Sequence, residues 1–386
     1  MTHPAADVVL RAPRMITDGA EHTDGWVAFT GAGITAVGTG AAPDAAQVVH
    51  GTGLLIPGFI DLHCHGGAGG AFAGGTEAID QGLGFHRSHG TTRSVLSTVT
   101  AAIPDLRDQV SGARQVCAAD PLVLGIHLEG PWLSPAHRGA HDQALLREPT
   151  EADIEAMLTA ADGYLAQVTI APELTGAHGA IEQLLRAGVR VAVGHSAVDY
   201  DQAGAAFEAG ASILTHAFNA MAPIHHRAPG PVLAATERDG VTCEVINDGV
   251  HVHPRVVRLL HEMAPGRIAY VTDAMAAAGC ADGAYELGGQ AVTVTDGVPR
   301  LDSTGSIAGS TLTMDAAVRQ AVRIGIPLPD AIQAATSTPA RTLGLADRFG
   351  SLAPGYAADA VLLDTGLQVE QVWADGTSRH QRVPAA

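Results

Sequence analysis

Eight short apolar runs limit what this chain can fold into more than any other feature. Most close in polar residues, and they lead toward Ala-rich segments with helical spacing. The runs are Phe59–His63, Ser94–Val99, Leu122–Glu129, Gln167–Ile170, Val189–His195, Ile213–His216, Thr242–Ile246 and Ile268–Asp273. The segments between them include Glu151–Ala160, Ala180–Ala187, Ala203–Ala209 and Pro254–Met263. Strands alternating with helices predict parallel βαβ units, and eight is the number that closes into a (β/α)8 barrel. Both ends of the chain read as β instead. Val8–Leu10, Trp26–Thr30 and Ile34–Val37 are short strands, with Gly31-Ala32-Gly33 turning between the last two. Ala360–Leu363 and Val369–Trp373 follow the turn 350–355. The expectation is an α/β chain: a (β/α)8 TIM-like barrel over 57–349, and a small β-sandwich domain formed from both chain ends, 1–56 and 350–386.

The polar residues closing the runs are the candidate site. In a parallel barrel all carboxyl-terminal strand ends meet on one face, where the active site lies. Six ends would deliver Asp61, His63 and His65; Glu129; His195; His216; Asn247, Asp248 and His251; and Asp273. Imidazoles and carboxylates are the usual ligands of first-row divalent metals. Each signal is weak alone. With 19 histidines in 386 residues, chance supplies about one His-x-His pair. A lone His195 or His216 is more often a hydrogen-bonded core or loop histidine, and a lone Glu129 a cap or salt-bridge carboxylate. Their co-location at successive strand ends points to a metal site. His63 and His65 share one face of a strand by the period-2 alternation, which turns Cys64 to the other side, into packing. His89, His137, His225, His226 and His261 read as structural, although 137, 225 and 226 fall in loops near the face.

Composition removes several chemistries. The chain has no lysine, so all 22 basic residues are arginine. Schiff-base and pyridoxal chemistry, a P-loop lysine and a carboxylated-lysine metal bridge are therefore excluded. The net charge of −18 with no basic block argues against nucleic-acid and anionic-membrane partners, and an anionic substrate would need a local arginine. Four scattered cysteines give neither a disulfide framework nor a zinc ribbon. No basic-then-apolar leader opens the chain and no apolar run approaches 18 residues, so a cytoplasmic location is expected.

The ligand order Asp61-Leu62-His63-Cys64-His65, third-strand carboxylate, fifth- and sixth-strand histidines, eighth-strand aspartate resembles the amidohydrolase superfamily. The local strings are similar to its N-acetylglucosamine-6-phosphate deacetylases: Gly125-Ile126-His127-Leu128-Glu129-Gly130-Pro131-Trp132, Gly194-His195-Ser196, Thr215-His216-Ala217-Phe218-Asn219-Ala220-Met221, Ile246-Asn247-Asp248-Gly249-Val250-His251, Val271-Thr272-Asp273-Ala274-Met275 and Ile307-Ala308-Gly309-Ser310. The resemblance covers essentially the whole chain. It implies that Glu129, His195 and His216 hold the metal that activates water, and that His63 and His65 hold a second, with Glu129 bridging in place of the absent lysine. The cofactor is then one or two divalent ions per subunit, Zn²⁺ or Fe²⁺ first, Mn²⁺ or Co²⁺ next. Asp273 is implied as general base and then acid, with His141 polarising the acetyl carbonyl beside Ala140. Asn219 and Ala220 would offer backbone N–H groups to a phosphate, Arg227 a charge from the neighbouring subunit of a homodimer, and His251 a sugar-phosphate contact. Ile307, Ala308 and Gly309 would line the acetyl pocket.

The activity implied is metal-dependent hydrolysis of the acetamide of N-acetyl-D-glucosamine 6-phosphate to D-glucosamine 6-phosphate and acetate. The alternatives are another lysine-free amidohydrolase, such as an adenine-deaminase-like or N-acyl-amino-acid hydrolase, and a non-catalytic barrel that binds phosphosugars. The Asn219, Ala220 and Arg227 elements speak against the first, and the intact set of ligands and base against the second.

Overall fold

A computed structural model describes residues 6–383. All eight predicted runs are strands: Phe59–Cys64, Thr91–Thr98, Val123–Glu129, Leu165–Ile170, Arg190–Val193, Ile213–Leu214, Thr242–Val245 and Ile268–Tyr270. They lie in one sheet in sequence order. Pairing is parallel from the second strand through the eighth. The sheet curls back on itself. Beyond the last strand the Asp273 N–H donates to the His63 carbonyl at 2.8 Å, and the His65 N–H to the Ala274 carbonyl at 2.8 Å. The result is a nearly closed barrel of the expected class.

The helices form where the sequence supplies apolar spacing and caps. Ala177–Arg186 buries Ala177, Ala180, Ile181 and Leu184, one face at i, i+3, i+4 and i+7. Glu151–Ala161 starts at Thr150, whose Oγ1 accepts the Asp153 N–H, and Tyr200–Glu208 starts in a capping box between Asp199 and Gln202. No helix among the described residues is long and apolar enough to cross a membrane.

After the eighth strand comes an antiparallel sheet that the run pattern did not predict: Gly283–Leu287, Gln290–Thr295 and Val298–Leu301. Its first hairpin turns on Gly288-Gly289, both at positive φ (57° and 77°), the geometry a two-residue turn requires. Its inner face packs Leu287, Val292, Val294 and Leu301 against Met275, Ala277 and Ala308.

The described residues divide into two units, one of Leu62–Phe85 and Ser94–Thr313, the other of 6–61, His86–Arg93 and 314–383. The second unit carries the end strands. Leu54–Pro57 pairs antiparallel with Ala360–Leu363, so the two chain ends share one eight-stranded sheet, as expected. Leu10, Val27, Phe29, Leu55, Leu362 and Trp373 belong to its core. The buried Arg93 guanidinium bonds both carboxylate oxygens of Asp359 within this unit, at 2.6 and 3.0 Å.

Candidate metal centre and active site

Glu129 closes the third strand, and its buried carboxylate lies between two pairs of imidazoles. On one side His195 Nε2 and His216 Nε2 stand 3.2 and 3.0 Å from Oε1 and 3.0 Å from each other. On the other side His65 Nε2 is 3.2 Å from Oε2, His63 Nε2 is 3.4 Å from Oε1, and the two nitrogens are 3.0 Å apart. Asp273 Oδ1 lies 3.2 Å from His65 Nε2 and 3.5 Å from His63 Nε2. Ring nitrogens that converge on each other and on a shared carboxylate are a donor set for divalent cations, and His63, His65, Glu129 and Asp273 each offer an atom within 4.8 Å of the others.

The backbone aims these groups. His195 and His216 follow short strands that end two residues earlier, and both have positive φ (47° and 26°), as does Asp273 (47°). The left-handed conformation is costly for a residue with a Cβ. Here it breaks the strand direction and turns the side chain over the barrel mouth. His195 Nδ1 donates to the His137 carbonyl at 2.9 Å, which leaves Nε2 as the free lone pair, as a ligand requires. That loop comes close enough that a Cβ on Gly139 would lie 2.9 Å from His195 Cε1.

Mutual electrostatics set the protonation of the cluster. Burial favours the neutral form of Glu129, but His63, His141, His195 and His216 hold it well below the usual carboxylate range. Burial likewise opposes the charge of Asp273, yet His63 and His65 bring it down to about 2. Burial lowers His65, and Asp273 and Glu129 outweigh that and raise it to about 9. The same anionic field that binds protons so strongly suits a divalent cation, whose binding would release them. His141 behaves oppositely: burial brings it down to about 4. Its Nδ1 accepts the Thr100 N–H at 3.4 Å, so neutral His141 presents Nε2–H to the site, 3.5 Å from Glu129 Oε2.

These groups open into a cavity of about 260 Å³. Of the residues singled out in the sequence, His65, Glu129, Ala140, His141, His195, His216, Asn219, Ala220, His251, Asp273, Ile307 and Gly309 line it. His63 is fully buried behind His65. Ala308 turns away into the apolar cluster under the added sheet. The Asn219 N–H donates to the His216 carbonyl at 3.0 Å. His251 Nδ1 donates to Asp248 Oδ2 at 2.6 Å. Arg227 is outside the cavity, on an exposed loop with its guanidinium at His226. Cys64 is buried, on the side of the strand away from the ligands.

Sequence reasoning passed over a polar layer beneath the ligands. His127 Nδ1 lies 2.9 Å from Ser97 Oγ and its Nε2 2.8 Å from Thr169 Oγ1, which is 2.9 Å from Thr215 Oγ1. Glu244 and Gln167 meet beside it at 2.8 Å. The only signal was polar residues at inward positions of strands two, three, four, six and seven. Leu287, which lines the cavity, was announced by the Gly288-Gly289 hairpin.

The chain matches the amidohydrolase family over residues 54–379. It is 39% identical over 382 residues to an N-acetylgalactosamine-6-phosphate deacetylase of Escherichia coli O157:H7, covering 97% of this chain and 99% of that one. It is 36% identical over 327 residues to an N-acetylglucosamine-6-phosphate deacetylase of Vibrio furnissii, covering 83% and 82%. Among solved structures, a mutant N-acetyl-D-glucosamine-6-phosphate deacetylase from Mycobacterium smegmatis, in complex with N-acetyl-D-glucosamine-6-phosphate, superposes with a TM-score of 0.93 at 43% identity over 97% of this chain and 100% of that one. By sequence and fold together, the chain belongs to the amidohydrolase family, among its amino-sugar 6-phosphate deacetylases.

Proposed function

We propose that this chain hydrolyses the acetamide of N-acetyl-D-glucosamine 6-phosphate, consuming one water and releasing D-glucosamine 6-phosphate and acetate. The observation that carries the reading is the buried carboxylate Glu129 between two histidine pairs, with Asp273 and neutral His141 facing the same cavity. Glu129, His195 and His216, and His63 and His65, would hold divalent ions, which when bound would supply Lewis acidity and a water acidic enough to ionise near pH 7. Zn²⁺ or Fe²⁺ suits this nitrogen-rich set best, then Mn²⁺ or Co²⁺.

The chain's own groups do the rest. Asp273 is ionised at neutral pH and takes the proton of the attacking water, then returns it to the departing nitrogen. His141 donates Nε2–H to the acetyl oxygen as negative charge grows there. Ile307 and Gly309 bound the space for the methyl group. The Ala220 amide and His251 receive the phosphate, and Arg227 reaches it from the other subunit of a homodimer. A guanidinium suits a dianion in a protein of net charge −18 that has no lysine.

Acetate release against N-acetylated sugars with and without a 6-phosphate tests the reading. Turnover confined to the phosphorylated sugars and abolished by chelation is expected; turnover of the free sugars alone, or full turnover in metal-free protein, would refute it. N-acetyl-D-galactosamine 6-phosphate belongs in the panel, because the relative covering 97% of this chain bears that name.

A further inference from the structure

Barrel interiors are ordinarily filled by layers of branched apolar side chains. Here the layer under the ligands holds a carboxylate. Glu244, on the seventh strand, is fully buried, as are His63 and Gln167 on either side of it. Gln167 Nε2 donates to Oε1 at 2.8 Å, and the His216 N–H reaches Oε2 at 3.4 Å. The same Oε2 lies 3.5 Å from His63 Nδ1, the nitrogen facing away from Glu129 and Asp273. The His63 ring is further fixed by His127, edge to face at 4.6 Å between centroids.

A buried carboxylate is costly unless its oxygens are hydrogen-bonded or paired, and the partners of Glu244 tie it to the ligand layer. We infer that Glu244 is a positioning residue for the metal position formed by His63 and His65. Its charge, 3.5 Å from Nδ1 and short of a formed hydrogen bond, favours the His63 proton on that nitrogen and directs Nε2 at the ion, so that this strand-seven carboxylate decides how firmly that position is filled. Histidine ligands are commonly oriented by a carboxylate behind them, and loss of such a partner weakens metal affinity by about 10–100-fold. Glu244 does not line the cavity; it meets the proposed ligands at the His63 ring and at the His216 backbone N–H, so the one imidazole its carboxylate faces is that of His63. The inference rests on the reading above that His63 and His65 hold an ion.

The test uses the full-length chain, stripped of metal and titrated with Zn²⁺, with bound metal measured by mass spectrometry at each free concentration. His63→Ala identifies which binding step belongs to the His63 side. Glu244→Gln is expected to weaken that step about 10-fold and Glu244→Leu up to about 100-fold, with the other step unchanged. Gln167→Leu keeps the carboxylate but unties Oε1, so it should weaken the same step by less; it also serves if the Glu244 variants fail to fold. Unchanged affinity in that step for any folded variant would overturn the inference. So would equal weakening of both steps with a lowered melting temperature of the metal-free variant, the mark of a purely structural role. Uptake of a single ion that His63→Ala leaves untouched would overturn the underlying two-ion reading and the inference with it. Two ions bound alike by wild type and Glu244→Gln would overturn the inference only.

Discussion

His141→Phe isolates one term of the mechanism. The imidazole is 4% exposed and burial holds it neutral, with ionisation only at about pH 4. The Thr100 N–H occupies Nδ1, so the neutral ring must carry its proton on Nε2, toward the cavity. A donor of this kind stabilises charge that appears only in the transition state. Removing one such donor costs about 2.7–4 kcal/mol, or about 10²–10³ in kcat. Phenylalanine retains the edge-to-face packing on His195, now 4.6 Å between centroids, so the ligands should stay in place. Steady-state kinetics on the 6-phosphate should show kcat falling by that amount with KM changed less than about threefold. His141→Gln, which can return an N–H near Nε2, should recover part of the loss. Because His141 is neutral from pH 6 to 9, the ratio of wild-type to His141→Phe rates should be flat across that range. A loss confined to KM, or a ratio that varies about tenfold per pH unit near 7, would refute the neutral-donor argument.

Asp273→Asn keeps the side-chain shape but cannot accept a proton, so kcat should fall by at least about 10²-fold; near-native kcat would place the base elsewhere. Metal-stripped protein should gain melting temperature on addition of Zn²⁺, by about 2.7 kcal/mol of stability at 100 times the dissociation constant, and calorimetry showing no shift would count against a site that binds in the folded state. Arg227→Ala should raise KM for the phosphorylated sugar by the equivalent of about 1.5–3 kcal/mol while sparing kcat. Mixing Arg227→Ala with Asp273→Asn chains should restore activity if the arginine acts across subunits, since a heterodimer then has one intact site; absence of recovery would place it in its own site. Arg93→Met strands the buried Asp359 carboxylate, whose affinity for a proton burial already raises, so denaturant melts should show a loss of about 3–5 kcal/mol, and a loss under 1 kcal/mol would mean that the pair is screened.

Much of this protein was legible without coordinates, because the relevant physics is local. Side-chain alternation put His63 and His65 on one face with Cys64 behind them. The eight apolar runs named the barrel, and the residues closing six of them named most of the groups that converge at Glu129. Even the overlooked sheet after the eighth strand was written locally, in Gly288-Gly289 and the alternating Val292 and Val294. What sequence alone could not settle depends on which groups meet across the closed ring, and on the direction of single peptide groups. Glu244 and Gln167 lie 77 residues apart and touch only because strands four and seven face each other across the interior. The tautomers of His195 and His141 are set by a carbonyl and an amide on other loops. The Asn219 N–H is spent on His216, and Ala308 points into packing, because local dihedrals there leave the strand geometry that alternation assumes. Residue type and spacing determined which groups converge on the barrel mouth; ring closure, and the partners it brought to each nitrogen and oxygen, determined the state in which those groups stand.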